Sequence, residues 1–315
     1  MSSEAAVFAA GTVNADFVFG VPEPPAWGQS LVARRLLRTS GGRAANVAVM
    51  ACRLGADARL FGCVGDDELA RQALAGPCAA GVDVAAVRRV PAETGVVAIL
   101  VAEGAKTMVL APGANEAFSE ADGERLAVDL RGAGAGSVLV VDNEISCAGL
   151  VPALEMARTC GRPTVLDPTR PQRITDLLLR LADHVTPNAD EAARMTGIEV
   201  TSAADAERAA RRLRERGARH AHVRLPRGGC VSIGPDDRPL AVAAPTDLTI
   251  VDTTGAGDAF AGTLAAAIMA GRPIVEAVRL AVAAAAYAVT RFGAQESYPD
   301  AAALEELASK ARTAT

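Results

Sequence analysis

The chain has 315 residues, half of them hydrophobic but only 3% aromatic, and a formal net charge of −5. That length can bury a large core, and with so few rings small aliphatic side chains must pack it, as in layered helix–sheet–helix folds. No basic stripe points to nucleic acid and no basic amphipathic helix to a membrane surface, while the longest apolar run, Leu280 to Val289, falls well short of the roughly 20 residues that span a bilayer.

In chain order, residues 5–11 read as a first strand, and the first twenty residues carry Glu4, Asn14 and Asp16 without a basic leader, so a cytoplasmic setting is expected. Residues 44–54 read as a helix: Val47, Met50, Ala51 and Leu54 share one face and Gly55 stops it. Asp66-Asp67 after Gly65 reads as a helix entrance. Residues 12–40 and 94–111 look extended, with little helix. Thr94 to Ala102 and Lys106 to Ala111 flank a hairpin-like tip at Glu103-Gly104-Ala105. A small sheet outside the main body explains both segments and could cover a site as a lid.

Residues 138–142 form an apolar run with a polar end, as in a buried parallel strand. Helix 147–160, strand 163–167, helix 173–182, strand 184–186, helix 188–196, helix 202–217 and strands 220–225 and 229–233 follow. This alternation implies βαβ units on a central, mostly parallel sheet. Strand-like Leu248 to Val251 then leads into a helix with Phe260, Leu264, Ala267 and Ile268 on its apolar face, ended by Gly271 and Pro273. His220 and His222 alternate on a strand without a third ligand, and read as packing residues rather than a metal site. The six cysteines, at 52, 63, 78, 147, 160 and 230, form no Cys-x-x-Cys pair and read as buried free thiols.

The strongest local signal is Asp252-Thr-Thr-Gly-Ala-Gly-Asp-Ala-Phe260. Gly255, Ala256 and Gly257 at the helix entrance present unpaired N–H groups, which with the helix dipole make an anion hole suited to phosphate. Asp258 stands in the first helical turn, kept ionised by that dipole and placed to accept the proton of an attacking hydroxyl. An oriented nucleophile and charge stabilisation are most of what phosphoryl transfer asks of a protein. The string is not a Walker A loop, because no Gly-Lys-Ser/Thr occurs, and Phe260 stands where a dinucleotide fingerprint has its third glycine, which argues against a dehydrogenase.

This string resembles the C-terminal signature of the ribokinase-like carbohydrate kinases, the PfkB family. Gly41-Gly42-Arg43-Ala44-Ala45-Asn46-Val47-Ala48 resembles their N-terminal signature, and the likeness runs from Gly11 to about Pro299. The resemblance implies one domain over 1–315: a ribokinase-like three-layer α/β/α sandwich with a mostly parallel central sheet and a small β-sheet lid formed by about 12–40 and 94–111. It implies an ATP-dependent sugar kinase using Mg²⁺ and K⁺, with Asp258 as base and Gly255, Ala256 and Gly257 as anion hole. Asn14, Asp16, Gly41, Gly42, Asn46 and Glu144 would join Asp258 around the sugar. Asn188, Glu191, Arg224, Gly229, Thr253, Gly255 and Gly257 would hold the nucleotide, with Glu191 reaching Mg²⁺ through water. Asp252, Thr254, the carbonyls of Ala288, Arg291 and Gly293 and the Ser297 hydroxyl would hold the monovalent cation. A homodimer through the lid sheets is also implied.

Read locally, several of these residues keep a plainer role. Asn188-Ala-Asp-Glu191 is also a helix-start box. Glu144 also fits an exposed loop, Asn14 and Asp16 a strand edge, and Gly293 a helix stop. Three departures from the family pattern stand out. Arg224-Leu225-Pro226 replaces the Thr-Leu-Gly of many relatives, and Pro226 has no N–H and cannot take glycine's positive φ. Arg224 could substitute a charge-assisted bond to phosphate. Arg43-Ala44 replaces Lys-Gly, and Phe292 replaces a frequent Lys. The Pro112-Gly-Ala-Asn115 turn is ribokinase-like.

The leading reading is a kinase of a pentose or similar small sugar. The alternative enzyme is a nucleoside kinase of the adenosine type, for which Phe17, Phe19 and Trp27 are the lid aromatics available to a base. The alternative from another class is a non-catalytic sugar or nucleotide sensor, against which the intact Asp258 argues.

Overall fold

The computed structural model describes residues 4–102, 105–246, 248–309 and 313–314, and the elements follow in order. The first half contains β1 (Val7–Ala10), β2 (Asn14–Gly20), β3 (Arg35–Gly41), α1 (Arg43–Arg53), β4 (Ala58–Phe61), β5 (Cys63–Gly65), α2 (Glu68–Ala79), β6 (Arg88–Val90), β7 (Gly95–Ala102), β8 (Ala105–Ala111), α3 (Glu120–Gly132) and β9 (Val138–Asp142). The second contains α4 (Cys147–Thr159), β10 (Thr164–Asp167), α5 (Asp176–Leu181), β11 (His184–Val185), α6 (Ala189–Thr196), α7 (Ala203–Glu215), β12 (His220–Arg224), β13 (Cys230–Ile233), β14 (Pro239–Val242), α8 (Ala256–Met269), α9 (Ile274–Ala288), α10 (Ala301–Ala308) and β15 (Thr313–Ala314).

The central sheet runs β15-β14-β13-β12-β11-β10-β9-β1-β4. Its members from β12 to β4 are all parallel, and β13 to β15 add an antiparallel edge. Strand alternation builds the layers. Val7 and Ala9 of β1 and Val138 and Val140 of β9 pack under α1, α8 and α9. Phe8 and Ala10 of β1 and Leu139 and Val141 of β9 point the other way, into the core shared with α3, α4 and α7. This is the α/β/α sandwich expected, with apolar strands buried on both faces.

Local signals fix the helix ends. Asp67 caps α2, accepting from the Ala70 amide at 2.8 Å, and Gly55 and Gly271 stop α1 and α8 with φ near +82° and +70°. The two extended segments form a separate sheet in the order β3-β2-β7-β8, over a small cluster of Val18, Val97, Ile99 and Val101. Glu103 and Gly104 of the hairpin tip lie outside the described residues.

Some expectations change. Residues 248–251 are irregular chain rather than a strand, because the amides of Val251 and Asp252 donate to the Val289 carbonyl beyond α9 instead of to a neighbouring strand. Cys63 and Cys230 are buried, but Cys78 is exposed on α2 and Cys52, Cys147 and Cys160 are half-buried. His220 and His222 lie beside His184 of β11, whose Nδ1 is 2.9 Å from His222 Nε2. Burial and their mutual repulsion hold His184 and His222 below the usual histidine range. Helix α9 is buried nearly all round, so it carries no apolar stripe that would delimit it in sequence.

The contact between α1 and α8 positions the site described below. Gly262 faces α1, and a Cβ there would come within 2.8 Å of the Val47 carbonyl and Met50 Cβ. Alanine favours a helix over glycine by about 1 kcal/mol, but overpacking a core costs about 1–3 kcal/mol. Gly262→Ala is therefore expected to lower the urea midpoint of unfolding. An unchanged or raised midpoint would show that α1 and α8 separate freely.

Candidate active site

The carboxyl ends of the parallel strands meet at one edge of the central sheet, where connections leave β1 and β9 toward opposite faces. The Thr12 amide, just past β1, donates to Asp142 Oδ2 at the end of β9 (2.8 Å). Glu144 follows β9, Asp167 closes β10, Asn188 follows β11 and Arg224 closes β12. The small sheet faces this edge. Asn14 and Asp16 of β2, Val97 and Ile99 of β7 and Lys106 of β8 line the same cleft as Gly255 to Asp258, with a volume of about 730 Å³.

Gly255 caps α8 in the left-handed conformation, φ 76°. Its carbonyl accepts from the Ala259 amide (2.8 Å) and from the Tyr298 hydroxyl (3.3 Å). A side chain at Gly257 would run into the Arg224 guanidinium. The first turn of α8 is thus bare toward the cleft, as an anion hole requires.

Asp258 is buried in that turn. Its Oδ2 accepts from the Asn46 side-chain amide at 2.7 Å, and Asn46 is in turn held by Gln295, 2.9 Å from its oxygen. Burial pushes the Asp258 carboxyl above its ordinary value, opposed by Arg43, by the Asn46 hydrogen bond and by Lys106. The helix dipole considered alone suggests a freely ionised group; desolvation, invisible in sequence, outweighs it and tunes the carboxylate toward a stronger base.

Arg43 ties the acids together. Its Nη1 lies 3.0 Å from Asp167 Oδ2 and 3.5 Å from Asp258 Oδ1, and its Nε lies 3.5 Å from Glu144 Oε1. Glu144 is therefore a cleft residue rather than an exposed loop acid. Asn14 and Asp16 share the cleft face of β2. Asn14 Oδ1 accepts from the side-chain amide of buried Asn115 (2.7 Å), so the Pro112–Asn115 turn orients it. Gly41 and Gly42 flank them: a Cβ on Gly41 would collide with the Asp16 carboxyl, and Gly42 holds φ 91° at the start of α1.

Toward the other end of the cleft, Asn188 and Glu191 form a complete capping box. The Glu191 amide donates to Asn188 Oδ1 (2.8 Å) and the Asn188 amide to Glu191 Oε2 (2.7 Å). Glu191 Oε2 also lies 3.4 Å from Arg224 Nη2, which is 3.5 Å from Asp167 Oδ1. The residues 225–229 form a turn closed by the Leu225 amide on the Gly229 carbonyl (3.0 Å), and Gly229 (φ 97°) lines the cleft, as does Thr253.

Asp252 gathers the third group of expected residues. Its Oδ1 accepts from the Thr254 amide and hydroxyl (2.8 and 2.6 Å), and its Oδ2 from the Gly293 amide (3.0 Å). Ala288 and Ser297 are engaged in local turns, through Arg291 N to the Ala288 carbonyl (3.2 Å) and Ser297 Oγ to the Ala294 carbonyl (2.6 Å). The Arg291 side chain turns away onto the Tyr287 ring. Gly293, with φ 93°, lies beyond the end of α9 and does not stop that helix itself. Arg43 stands in the Gly41–Ala48 string, but nothing in that string shows its bridging role, and Asp167, Lys106 and Gln295 belong to no such motif. Of the last three, Asp167 had a signal, the polar end of an apolar strand, like Asp142.

A profile described as "pfkB family carbohydrate kinase" matches residues 5–301. The chain belongs to this family of carbohydrate kinases. It is 33% identical over 292 residues to a ribokinase of Haemophilus influenzae, covering 92% of this chain and 94% of that one. A deoxyribokinase of Salmonella typhimurium is 29% identical, again with 92% and 94% covered. Among solved structures, Arabidopsis thaliana ribokinase complexed with ribose and ATP superposes with a TM-score of 0.85 at 27% identity, over 97% of this chain and 99% of that one. As a pfkB carbohydrate kinase the chain is a phosphotransferase acting on a carbohydrate hydroxyl. No helix among its described residues is long and apolar enough to cross a membrane.

For this kinase, buried Asp16 is the costly group. Its Oδ1 has no hydrogen-bond partner. Burial, then the charges of Asp258, Glu296 and Glu144, push its pKa up to about 8 from 3.8, with Lys106 pulling it back. Below pH 3.8 the carboxyl is protonated in both folded and unfolded chains. As pH rises toward 8 only the unfolded chain releases the proton, so this group's contribution to stability is lost across that window. Asp16→Asn is therefore expected to match the wild type in thermal midpoint near pH 4 and to exceed it increasingly up to about pH 8. Parallel midpoint-versus-pH curves would show that Asp16 is not held neutral by the fold.

Proposed function

We propose that this kinase transfers the γ-phosphoryl group of ATP to a hydroxyl of a pentose or similar small sugar, with Asp258 as general base. The observation that carries the proposal is the Asp258 carboxylate beside the bare first turn of α8, oriented by Asn46 at 2.7 Å. The names of the relatives, ribokinase and deoxyribokinase, and the ribose and ATP in the Arabidopsis structure support a pentose. Asn14, Asp16, Gly41, Gly42, Asn46 and Glu144 would receive the sugar. A sugar hydroxyl would give the orphaned Asp16 Oδ1 the partner it lacks. Among the described residues Phe260 is the only aromatic lining the cleft, while Trp27 is fully exposed, so nothing favours stacking of a nucleobase at the sugar end.

In the step itself, Asp258 takes the proton of the sugar hydroxyl as its oxygen bonds to the γ-phosphorus. The bond from that phosphorus to the β–γ bridging oxygen breaks, and its electron pair leaves with ADP. Amides of Gly255, Ala256 and Gly257 face the oxygens of the moving group. Thr253, Asn188, Glu191, Arg224 and Gly229 would hold the nucleotide. Mg²⁺ would neutralise charge on the phosphates, and Glu191 suits it as a buried carboxylate reached through water. The hard oxygens of Asp252, Thr254, Ala288, Arg291, Gly293 and Ser297 suit K⁺, on two segments already joined by the Asp252–Gly293 bond. ATP as donor and free thiols suit a reducing, cytoplasmic setting.

Segments 12–40 and 94–111 act as a lid over the cleft in this reading. The lid sheet would pair with a second copy: Leu36 of β3 and Val109 of β8 are exposed, and β8 has an open edge. Val109→Asp should then give a monomer in sedimentation where the wild type gives a dimer. A wild type that sediments as a monomer at micromolar concentration defeats the pairing.

The activity test is a coupled ADP-release screen with Mg·ATP and K⁺ on pentoses, hexoses, sugar acids and nucleosides. Turnover on a pentose should fall about 10²- to 10⁴-fold in Asp258→Asn, the usual worth of a general base. Turnover on nucleosides alone, or an Asp258→Asn variant as active as wild type, would refute the reading.

A further inference from the structure

We propose that Lys106 is a catalytic residue carried by the small sheet, its ammonium binding the phosphoryl group in transfer from the side opposite the α8 amides. The inference rests on the kinase reading above and adds a residue to it. Composition gives the first indication. The chain contains thirty arginines and two lysines, Lys106 and Lys310. Lysine at 106 is thus a departure from this chain's own usage, at a position lining the active cleft. An ammonium is a compact point charge with three rotatable donors, whereas a guanidinium is a wide planar fork. At a single tetrahedral group the ammonium binds as a point charge rather than as a bidentate fork.

Geometry gives the second. Lys106 Nζ lies 3.4 Å from the carbonyl of Thr253, two residues before the glycine that caps α8. Among the described residues that long contact is its only hydrogen bond, and no carboxylate lies within 4 Å of it, so donors remain to be filled. Of the other cations lining the cleft, Arg227 is exposed to solvent, and the two set among its carboxylates are committed. Arg43 is shared by Asp167, Asp258 and Glu144, and Arg224 by Asp167 and Glu191. Burial and the Arg43 charge work against the Lys106 ammonium, while Asp258, Asp252 and Asp16 favour it from a distance. A half-buried ammonium so placed gains most from an anion that arrives between it and Asp258.

The transferring group is that anion. Negative charge on its oxygens is met on one side by amides and on the other by Lys106, which donates hydrogen bonds and keeps its own proton throughout.

The test uses the full chain as wild type, Lys106→Met, Lys106→Arg and Asp258→Asn, each checked for an unchanged thermal midpoint. On the best pentose of the screen, Lys106→Met should lose about 10²-fold in kcat with little change in sugar KM, the scale of losing one charge-stabilising donor. Lys106→Arg should recover part of that loss. A readout independent of turnover comes from acetic anhydride labelling read by mass spectrometry. Labelling of Lys106, with Lys310 as the internal reference, should fall severalfold with Mg²⁺, D-ribose and β,γ-methylene-ATP together, and much less with D-ribose alone. Wild-type kcat in Lys106→Met, or equal protection by the sugar alone, would overturn the proposal. So would a loss confined to KM for sugar acids, which would mean that Lys106 binds an anionic substrate group instead. An inactive Asp258→Asn beside an undiminished Lys106→Met overturns this inference alone; an undiminished Asp258→Asn overturns the kinase reading beneath it.

Discussion

The cleft depends on one largely buried guanidinium. Arg43 brings Glu144, Asp167 and Asp258 to a common counter-charge, although they come from the end of β9, the end of β10 and the start of α8. Carboxylates that close together, out of water, would protonate or push apart without it. A guanidinium suits the task because its fork serves several oxygens at once. Its backbone is fixed as firmly as its side chain. The Arg43 amide donates to Thr12 Oγ1 (3.0 Å), and Gly42 before it packs so closely on Thr12 that a Cβ would strike the Thr12 carbonyl. The pair of glycines at 41 and 42 therefore has a double use: room for the Asp16 carboxyl, and a tight corner that aims Arg43.

Around that centre, the scarcity of aromatic residues becomes a structural asset. Helices α1 and α8 meet where Gly262 lies against the Val47 carbonyl and Met50, with no room for a Cβ, so their axes approach closely. Close approach is what lets Asn46, one turn into α1, reach Asp258, in the first turn of α8, without a water between them. Composition, helix packing and the orientation of the Asp258 carboxyl form one causal chain. The sheet adds the other half. Its alternation fixes both cores, and its parallel ends deliver Asp142, Asp167 and Arg224 to a single edge.

What could be read from sequence was what is local. The strand 138–142, the capping box at Asn188 and Glu191, the stop at Gly271 and the glycine turn before Asp258 all depend on neighbours a few residues away, and all appear as read. Residues 248–251 misled because apolar and β-branched content signals burial, not strand pairing; their partner is a helix-end carbonyl. The bridge from Arg43 to Asp258 spans 215 positions, and Asn46 to Gln295 spans 249, so no window of sequence contains either. Resemblance to a family could nominate Asn46 as a sugar residue but not show that its amide holds Asp258. Desolvation of Asp16 and Asp258 was equally illegible, since it is a property of what surrounds a residue in space.

The distribution of charge separates the fixed body from the cover. Glu144, Asp167, Glu191 and Asp258 all belong to the main body, with only Arg43 and Arg224 bonded among them, so the floor of the cleft is net negative. On the kinase reading, such a floor repels a bare polyphosphate and accepts one whose charge a divalent cation has already reduced. The α8 amides offset part of this field through partial charges that require no counter-ion and do not move. Beyond the two committed arginines, positive charge on the cleft lining comes from exposed Arg227 and from Lys106 of β8, the latter in the sheet with the smallest core beneath it. On that reading the floor selects for a metal-bound nucleotide, and the thinner sheet holds Lys106 over it as the complementing charge.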